Sequence, residues 1–285
     1  MSQGYQAALG IDTLLPVGRG VEFEQCAITK VSQIIDTSGI RGSRAHLAAR
    51  TRCGVDTVSG VIELVPAADD LRHLLPWILG GAVVDGQYSL GESLGERFIQ
   101  VDKVAGVFTY TGCLVNRAVF ACRSGQPLRL RLEIVGKTET CGLAGSFPSV
   151  AYPGGPPFLF SDTILNLVGQ SREVQEWSIV IDNHLEVSFA NSTTATRIIP
   201  RDRTVTLNCT NPFTADEVAL YDQSLAGSPA SLSMTNSAAT LVFQFATLQV
   251  PSAGPTIAGR HEVPLQLQGI ARRVDAISEL VVLVQ

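Results

Sequence analysis

The stretch Thr57-Val58-Ser59-Gly60-Val61-Ile62-Glu63 returns 147 residues later as Thr204-Val205-Thr206-Leu207-Asn208-Cys209-Thr210. Both alternate with a period of two, as a half-buried strand does, because successive strand side chains point to opposite faces. Val58 and Ile62 align with Val205 and Cys209 on an apolar, core-facing side. The other side reads Thr57, Ser59, Val61, Glu63 in one copy and Thr204, Thr206, Asn208, Thr210 in the other. Two strands of one design at this distance predict a duplicated, β-rich chain.

The repeat extends outward from these strands. At the same offset Asp69-Asp70-Leu71 falls on Asp216-Glu217-Val218, Ile78 on Leu225 and Gly80 on Gly227. Upstream, Cys26 and Ile28 match Trp177 and Ile179 at an offset of 151. Downstream, Leu130, Leu132, Ile134 and Gly136 match Val263, Leu265, Leu267 and Gly269 at 133. Each copy then reads as a strand (23–35; 174–187), a polar loop, a second strand (53–65; 203–210), a short helix and two more strands (107–121 with 127–137; 241–250 with 262–270). The first helix should start on Asp69 and Asp70, where carboxylates complement the helix dipole. Its apolar stripe is Leu71, Leu74, Leu75 and Ile78, and Pro76 should kink or shorten it. The second helix should start at Thr214, with Glu217 completing a capping box, and end at Gly227. The expected fold is therefore mainly β: two tandem β-sandwich or half-barrel domains, each with one short flanking α-helix. The first spans residues 1–150, with an N-terminal arm and an 81–100 insertion loop. The second, its repeat, spans 151–285, and the Pro- and Gly-rich segment 147–157 is part of the joint.

Composition narrows the function classes. Hydrophobic residues make up 45% of the chain and charged residues 16%, which suits a packed core and argues against disorder. No secretory signal opens the chain and no apolar run nears the length of a membrane span, so a soluble protein with no membrane partner is expected. Through residue 150 the chain has 14 Lys/Arg against 14 Asp/Glu; from 151 on it has 7 against 12. The acidic excess argues against tight nucleic-acid binding, which needs cationic side chains.

No assembled chemistry is visible. Cys26, Cys53, Cys113, Cys122, Cys141 and Cys209 form no C-x-x-C pair, so a zinc site is not expected. They read as small buried hydrophobes or as disulfide partners between hairpin neighbours or across a subunit contact. His46, His73, His184 and His261 lack metal-ligand spacing and read as surface or loop residues. Phosphate-binding glycine loops and the nucleophile elbow are absent. Asp69-Asp70 and Asp216-Glu217 are better explained by helix starts than by acid-base chemistry. No catalytic, cofactor or metal site is expected.

The hairpin partners carry the two-faced pattern further. Leu128, Leu130, Leu132 and Ile134 should face the core, with Arg129, Arg131 and Glu133 facing away; in the other copy Gln266 and Gln268 face away. Such a polar face fits an ordinary solvent-facing sheet or the wall of a water-filled channel.

Several short motifs occur in order: Ile40-Arg41-Gly42-Ser43-Arg44 between the first two strands, Tyr110-Thr111-Gly112-Cys113-Leu114-Val115-Asn116 opening a hairpin that closes at Val135-Gly136-Lys137, Pro157-Phe158-Leu159-Phe160-Ser161-Asp162, the run 179–183, and Ile199-Pro200-Arg201-Asp202. Together, over nearly the whole chain, they resemble the tail tube (major tail) proteins of long-tailed bacteriophages in their duplicated form. The 81–100 insertion and the six cysteines depart from that pattern. The resemblance implies a structural subunit and no enzyme. Six such domains form a ring and rings stack into a hollow tube, so three tandem chains would build a trimeric, pseudo-hexameric ring. The implied role is a conduit for genome ejection, in a virion tail assembled in the host bacterial cytoplasm. The implied partners are further copies of the chain, the tail terminator, tape-measure and baseplate or tip proteins, and double-stranded DNA passing non-specifically. The alternative is a related ring protein of the tail (terminator or baseplate-proximal tube) or of a contractile injection system. A carbohydrate-binding β-sandwich would need an aromatic-lined site, which two Trp and five Tyr support poorly.

On this reading the lumen candidates are Thr57, Ser59, Glu63, Thr204, Thr206, Asn208, Thr210, Gln266 and Gln268, with Asn116, Asp182 and Gln249 as additions and an overall negative potential. If Arg129 and Arg131 share this face, they should pair with Glu133 and Glu63. The inter-subunit candidates are Arg41, Arg44, Arg50 and Arg52 on the loop 36–52, with 188–200 as its counterpart. These arginines are expected to meet acidic surface of the second half.

Overall fold

The computed structural model describes residues 3–40, 42, 44–213, 227–250, 264–275 and 277–285. In the first half the strands are β1 (Ala8–Asp12), β2 (Gln25–Cys26), β3 (Thr29–Asp36), β4 (Thr51–Leu64), β5 (Gly80–Val84), β6 (Gln87–Leu90), β7 (Arg97–Asp102), β8 (Val107–Arg123), β9 (Arg129–Gly136) and β10 (Thr138–Gly142). The second half contributes β11 (Thr163–Leu167), β12 (Gln170–Arg172), β13 (Glu176–Asp182), β14 (Glu186–Ser188), β15 (Arg197–Ile199), β16 (Thr204–Pro212), β17 (Ser228–Thr235), β18 (Thr240–Gln249), β19 (Pro264–Arg272) and β20 (Leu280–Val284). One α-helix, α1 (Ala68–Leu79), interrupts the strands of the first half. The chain is mainly β, as its alternating pattern predicts.

One layer runs β3-β4-β9-β8-β13-β16-β19, every neighbour antiparallel. The β8–β13 pairing joins the two halves within it, from Arg117↔Asp182 to Arg123↔Glu176. A second layer covers its apolar side with β1-β7-β8-β10 from the first half and β12-β11-β17-β18-β20-β6-β5 around the second. Strand β8 belongs to both layers. Its start lies between β7 and β10, its end between β9 and β13. The crossing falls at Gly112, whose φ of 60° is a left-handed conformation that glycine adopts without a Cβ penalty.

Alternation fixes which side is buried. Phe120, Leu130, Leu132, Ile179, Leu207 and Leu265 all face inward and are essentially inaccessible. The core is continuous between the halves: Phe243 of β18 packs edge-on to Phe120 of β8 at 5.1 Å and to Trp177 of β13 at 6.3 Å. Helix α1 caps the first half. Its stripe Leu71, Leu74, Leu75 and Ile78 is buried, and so are Trp77 and Leu79. Trp77 Nε1 donates to the Cys113 carbonyl at 3.0 Å, which satisfies the one polar atom that a buried indole brings with it. Asp70 accepts the Ala67 N–H at 3.1 Å, serving an otherwise orphaned donor of the helix start. Burial pushes the Asp70 carboxyl above its usual range, opposed by that hydrogen bond and by Arg19 at 3.7 Å.

Several expectations need correction or a limit. Pro76 does not shorten the helix; the chain stays helical to Leu79 and closes on Gly80 at φ 73°. The 81–100 insertion is not a loop. It forms the β5–β6 hairpin and the start of β7, and β6 pairs with the C-terminal strand β20. The missed signal is Asp85-Gly86, both at positive φ, the turn pair that favours a tight hairpin. The stretch 36–52 is regular only at its ends: β3 and β4 pair out to Asp36↔Thr51, so Arg52 lies on a strand and Arg50 in the 3-10 turn Ala48–Arg50. Finally, the register Ile62↔Leu132 in the first half answers to Cys209↔Leu267 in the second, which makes the downstream offset 135 and not 133. A two-residue slip is one strand period, so every residue keeps its face. The second helix, with Thr214, Glu217, Val218 and Leu225, lies outside the described residues, as does Arg41.

Candidate functional site

The side of the first layer that faces away from the core is one continuous surface across seven strands, mostly polar but with Val61, Val119, Val180 and Ile270 among the polar residues. Cross-strand partners place its residues in rows. One row runs Gln25, Glu63, Arg131, Val119, Val180, Thr206 and Ile270; its neighbour includes Arg129, Ala121, Ser178, Asn208 and Gln268. Thr57, Ser59, Thr204, Thr210 and Gln266 occupy the same side by the two-residue period. The structure thus brings all nine residues singled out from the sequence onto one face. Thr57, Ser59, Thr204, Gln266 and Gln268 are exposed; Glu63, Thr206, Asn208 and Thr210 are half-buried. The face is concave over the joint, where Ala121, Arg123, Ser178, Asn208, Thr210 and Gln266 help to line a trough of about 860 Å³.

The charges on this face are tied to one another. Arg131 pairs with Glu63 and lies 3.8 Å from Glu133; Arg129 pairs with Glu24. Arg117 lies 3.9 Å from Glu133 and Arg123 3.6 Å from Glu176. Glu63 and Glu133 are legible in the sequence as partners for Arg131; the pairings of Glu24, Arg117, Arg123 and Glu176 are not, because they depend on which strands become neighbours on folding. Between the pairs lie neutral groups: Asn208 Nδ2 donates to Ser178 Oγ at 3.3 Å and Thr210 Oγ1 to Glu176 at 3.1 Å. Arg272 Nε donates to Gln249 Oε1 at 3.2 Å. The four arginines of β8 and β9 on this face are thus each matched to a carboxylate.

Residues 6–271 match the family model for the phage tail tube protein. The chain belongs to the phage tail tube protein family. No curated protein matches it. A tail tube protein is a structural component of the virion tail, and membership gives this chain that role. In this tail tube chain no helix of the described residues is long and apolar enough to cross a membrane.

Asp182 shares that face, opposite Thr204 and Arg117, and accepts the His184 N–H at 3.0 Å. Other candidates lie elsewhere. Asn116 sits at the bulge of β8 and serves the joint, its Oδ1 accepting the Leu185 N–H at 2.8 Å. His73 is not a surface residue. It lies half-buried on α1, where Nε2–H donates to the Ile11 carbonyl at 2.7 Å, and burial holds its pKa below the usual histidine value. Cys113, Cys122 and Cys209 are buried, while Cys53 and Cys141 are exposed. Burial pushes the Cys113 thiol up to about 12 and that of Cys122 up to about 11, which keeps them protonated and unreactive. His261 lies outside the described residues.

Proposed function

We propose that the chain is a two-unit tube subunit, with units at 1–150 and 151–285, and that three chains close into a pseudo-hexameric ring whose polar face lines the lumen. The observation that carries this reading is a matched pair of edges. Within the chain, the first unit's β8 pairs with β13 of the second. The element equivalent to β13 is β2–β3: Cys26 pairs with Ile62 as Trp177 pairs with Cys209. Among the described residues β2 and β3 have β4 as their only partner, so the edge answering to the occupied one is open. An open edge is a template for another strand. Filling it with the second unit of a neighbouring chain repeats the internal joint and closes a ring by a head-to-tail contact. Rings stacked through their faces would give a hollow conduit for genome ejection.

The polar face suits a passage for DNA. A free cationic wall would hold phosphate with salt-dependent affinity, and on this face the arginines of β8 and β9 are each matched to a carboxylate. The arm formed by β3 and β4 supports contact between chains: all eight residues of β3 are exposed, including Val31, Ile34 and Ile35. An isolated two-stranded ribbon is marginal in water and gains from burial against another subunit. The test is native mass measurement with negative-stain imaging of the concentrated protein. Three chains per ring and hollow tubes are expected; six chains per ring, or a monomer at every concentration, overturns the reading.

A further inference from the structure

The two units each send a hairpin out at the same point. In the second unit it is short, β14 with β15, and the loop at its tip rests on the first unit: the Asp56 N–H of β4 donates to the Thr193 carbonyl at 2.6 Å. The chain entering that hairpin is also fixed to the first unit, where Asn183 Nδ2 donates to the Val115 carbonyl at 2.9 Å. In the first unit the hairpin is the long arm of β3 and β4. By the 147-residue offset, Asp56 answers to Arg203. The arm of one chain should therefore come to rest near Arg203 of the chain before it in the ring.

That place is a polar pocket of about 360 Å³, lined among others by Glu92, Asp202, Arg203 and Glu279. Its own cations are engaged: Arg203 Nη1 donates to the Gly91 carbonyl at 2.7 Å and Nε lies 3.9 Å from Glu279, and Arg201 pairs with Glu186. Glu92 and Asp202 are exposed and join no ion pair among the described residues. On the arm, Arg44 and Arg52 are exposed and also join none. Two uncompensated cations on the travelling element thus face two uncompensated anions at the place that the internal contact marks out.

We propose that this pocket is the receptor for the arm of a second copy of the chain, with Arg44 and Arg52 neutralised by Glu92 and Asp202. The inference rests on the ring reading and adds its connection between chains. Exposed ion pairs contribute little singly, but like charges brought together in an interface cost several kcal/mol, so reversal is the sharper probe. Arg44→Glu with Arg52→Glu, and separately Glu92→Lys with Asp202→Lys, should each raise the protein concentration needed for rings by at least about tenfold. The fourfold variant, in which the signs are exchanged, should recover rings near the wild-type concentration. Circular dichroism and melting of each variant check that the subunit stays folded. If wild type makes no rings, the ring reading itself falls. If wild type makes rings and either reversal leaves them unaffected, or the fourfold variant stays folded and unassembled, the pocket is not the receptor.

Discussion

The hairpin of β14 and β15 and the arm of β3 and β4 follow strands that the repeat aligns, yet one is anchored by buried amides and the other is exposed along the whole of β3. The short hairpin folds back at His184, held by Asn116 and Asn183. Among its described residues the arm has no such buried amide: the residue at the Asn183 position, by the 151 offset, is Ser32, which sits at a bulge in the β3–β4 pairing. The same local design thus gives a closed joint where a buried amide reaches the neighbouring unit, and an open one where a short hydroxyl cannot. A joint inside the chain can afford to be permanent, whereas one between chains has to form on assembly.

The comparison can be broken most severely through the shared core. Phe243→Ala should cost about 3–5 kcal/mol, and because Phe243 touches both Phe120 and Trp177, the halves should unfold together in one calorimetric transition. Two separated transitions would mean that the internal joint is no tighter than the open edge. Next in size is Asn183→Ala, which leaves the Val115 carbonyl without its buried donor and should cost about 1–3 kcal/mol, read by urea titration.

Acid should separate body from arm. His73 is held neutral in the folded body below its ordinary value. The unfolded chain therefore takes up this proton first, and stability is fully present above about pH 6.5 and lost as pH falls toward the lowered folded value. Melting temperature should drop across that window in wild type and less steeply in His73→Gln. On the arm, Asp36 is held below the usual carboxylate range, chiefly by Ser38 and then by His46, so it stays charged through the same window. The smallest effect on stability belongs to the arm itself. Ile34→Ser should change the melting free energy by no more than about 0.5 kcal/mol, since Ile34 is 72% exposed, yet it should weaken ring formation in sedimentation.

The polar faces of β4, β16 and β19 were legible because a period of two assigns each residue to a side without knowledge of its neighbours. The core followed for the same reason, and so did the burial of the Leu71, Leu74, Leu75 and Ile78 stripe. Local chemistry was enough for the start of α1, where Asp70 accepts a nearby N–H. Other features needed contacts distant in sequence. The insertion's role depends on β20, some two hundred residues away, and no local signal ties Tyr88 to Val282. His73 looked like a surface residue until β1 supplied the Ile11 carbonyl. The matching of Arg129 with Glu24 spans 105 residues. Periodicity and turn chemistry are properties of a few consecutive residues, so the sequence alone determined the β character and the two faces. Which edges are filled and which charges are cancelled depends on strands that meet only after folding, and those the tertiary structure decided.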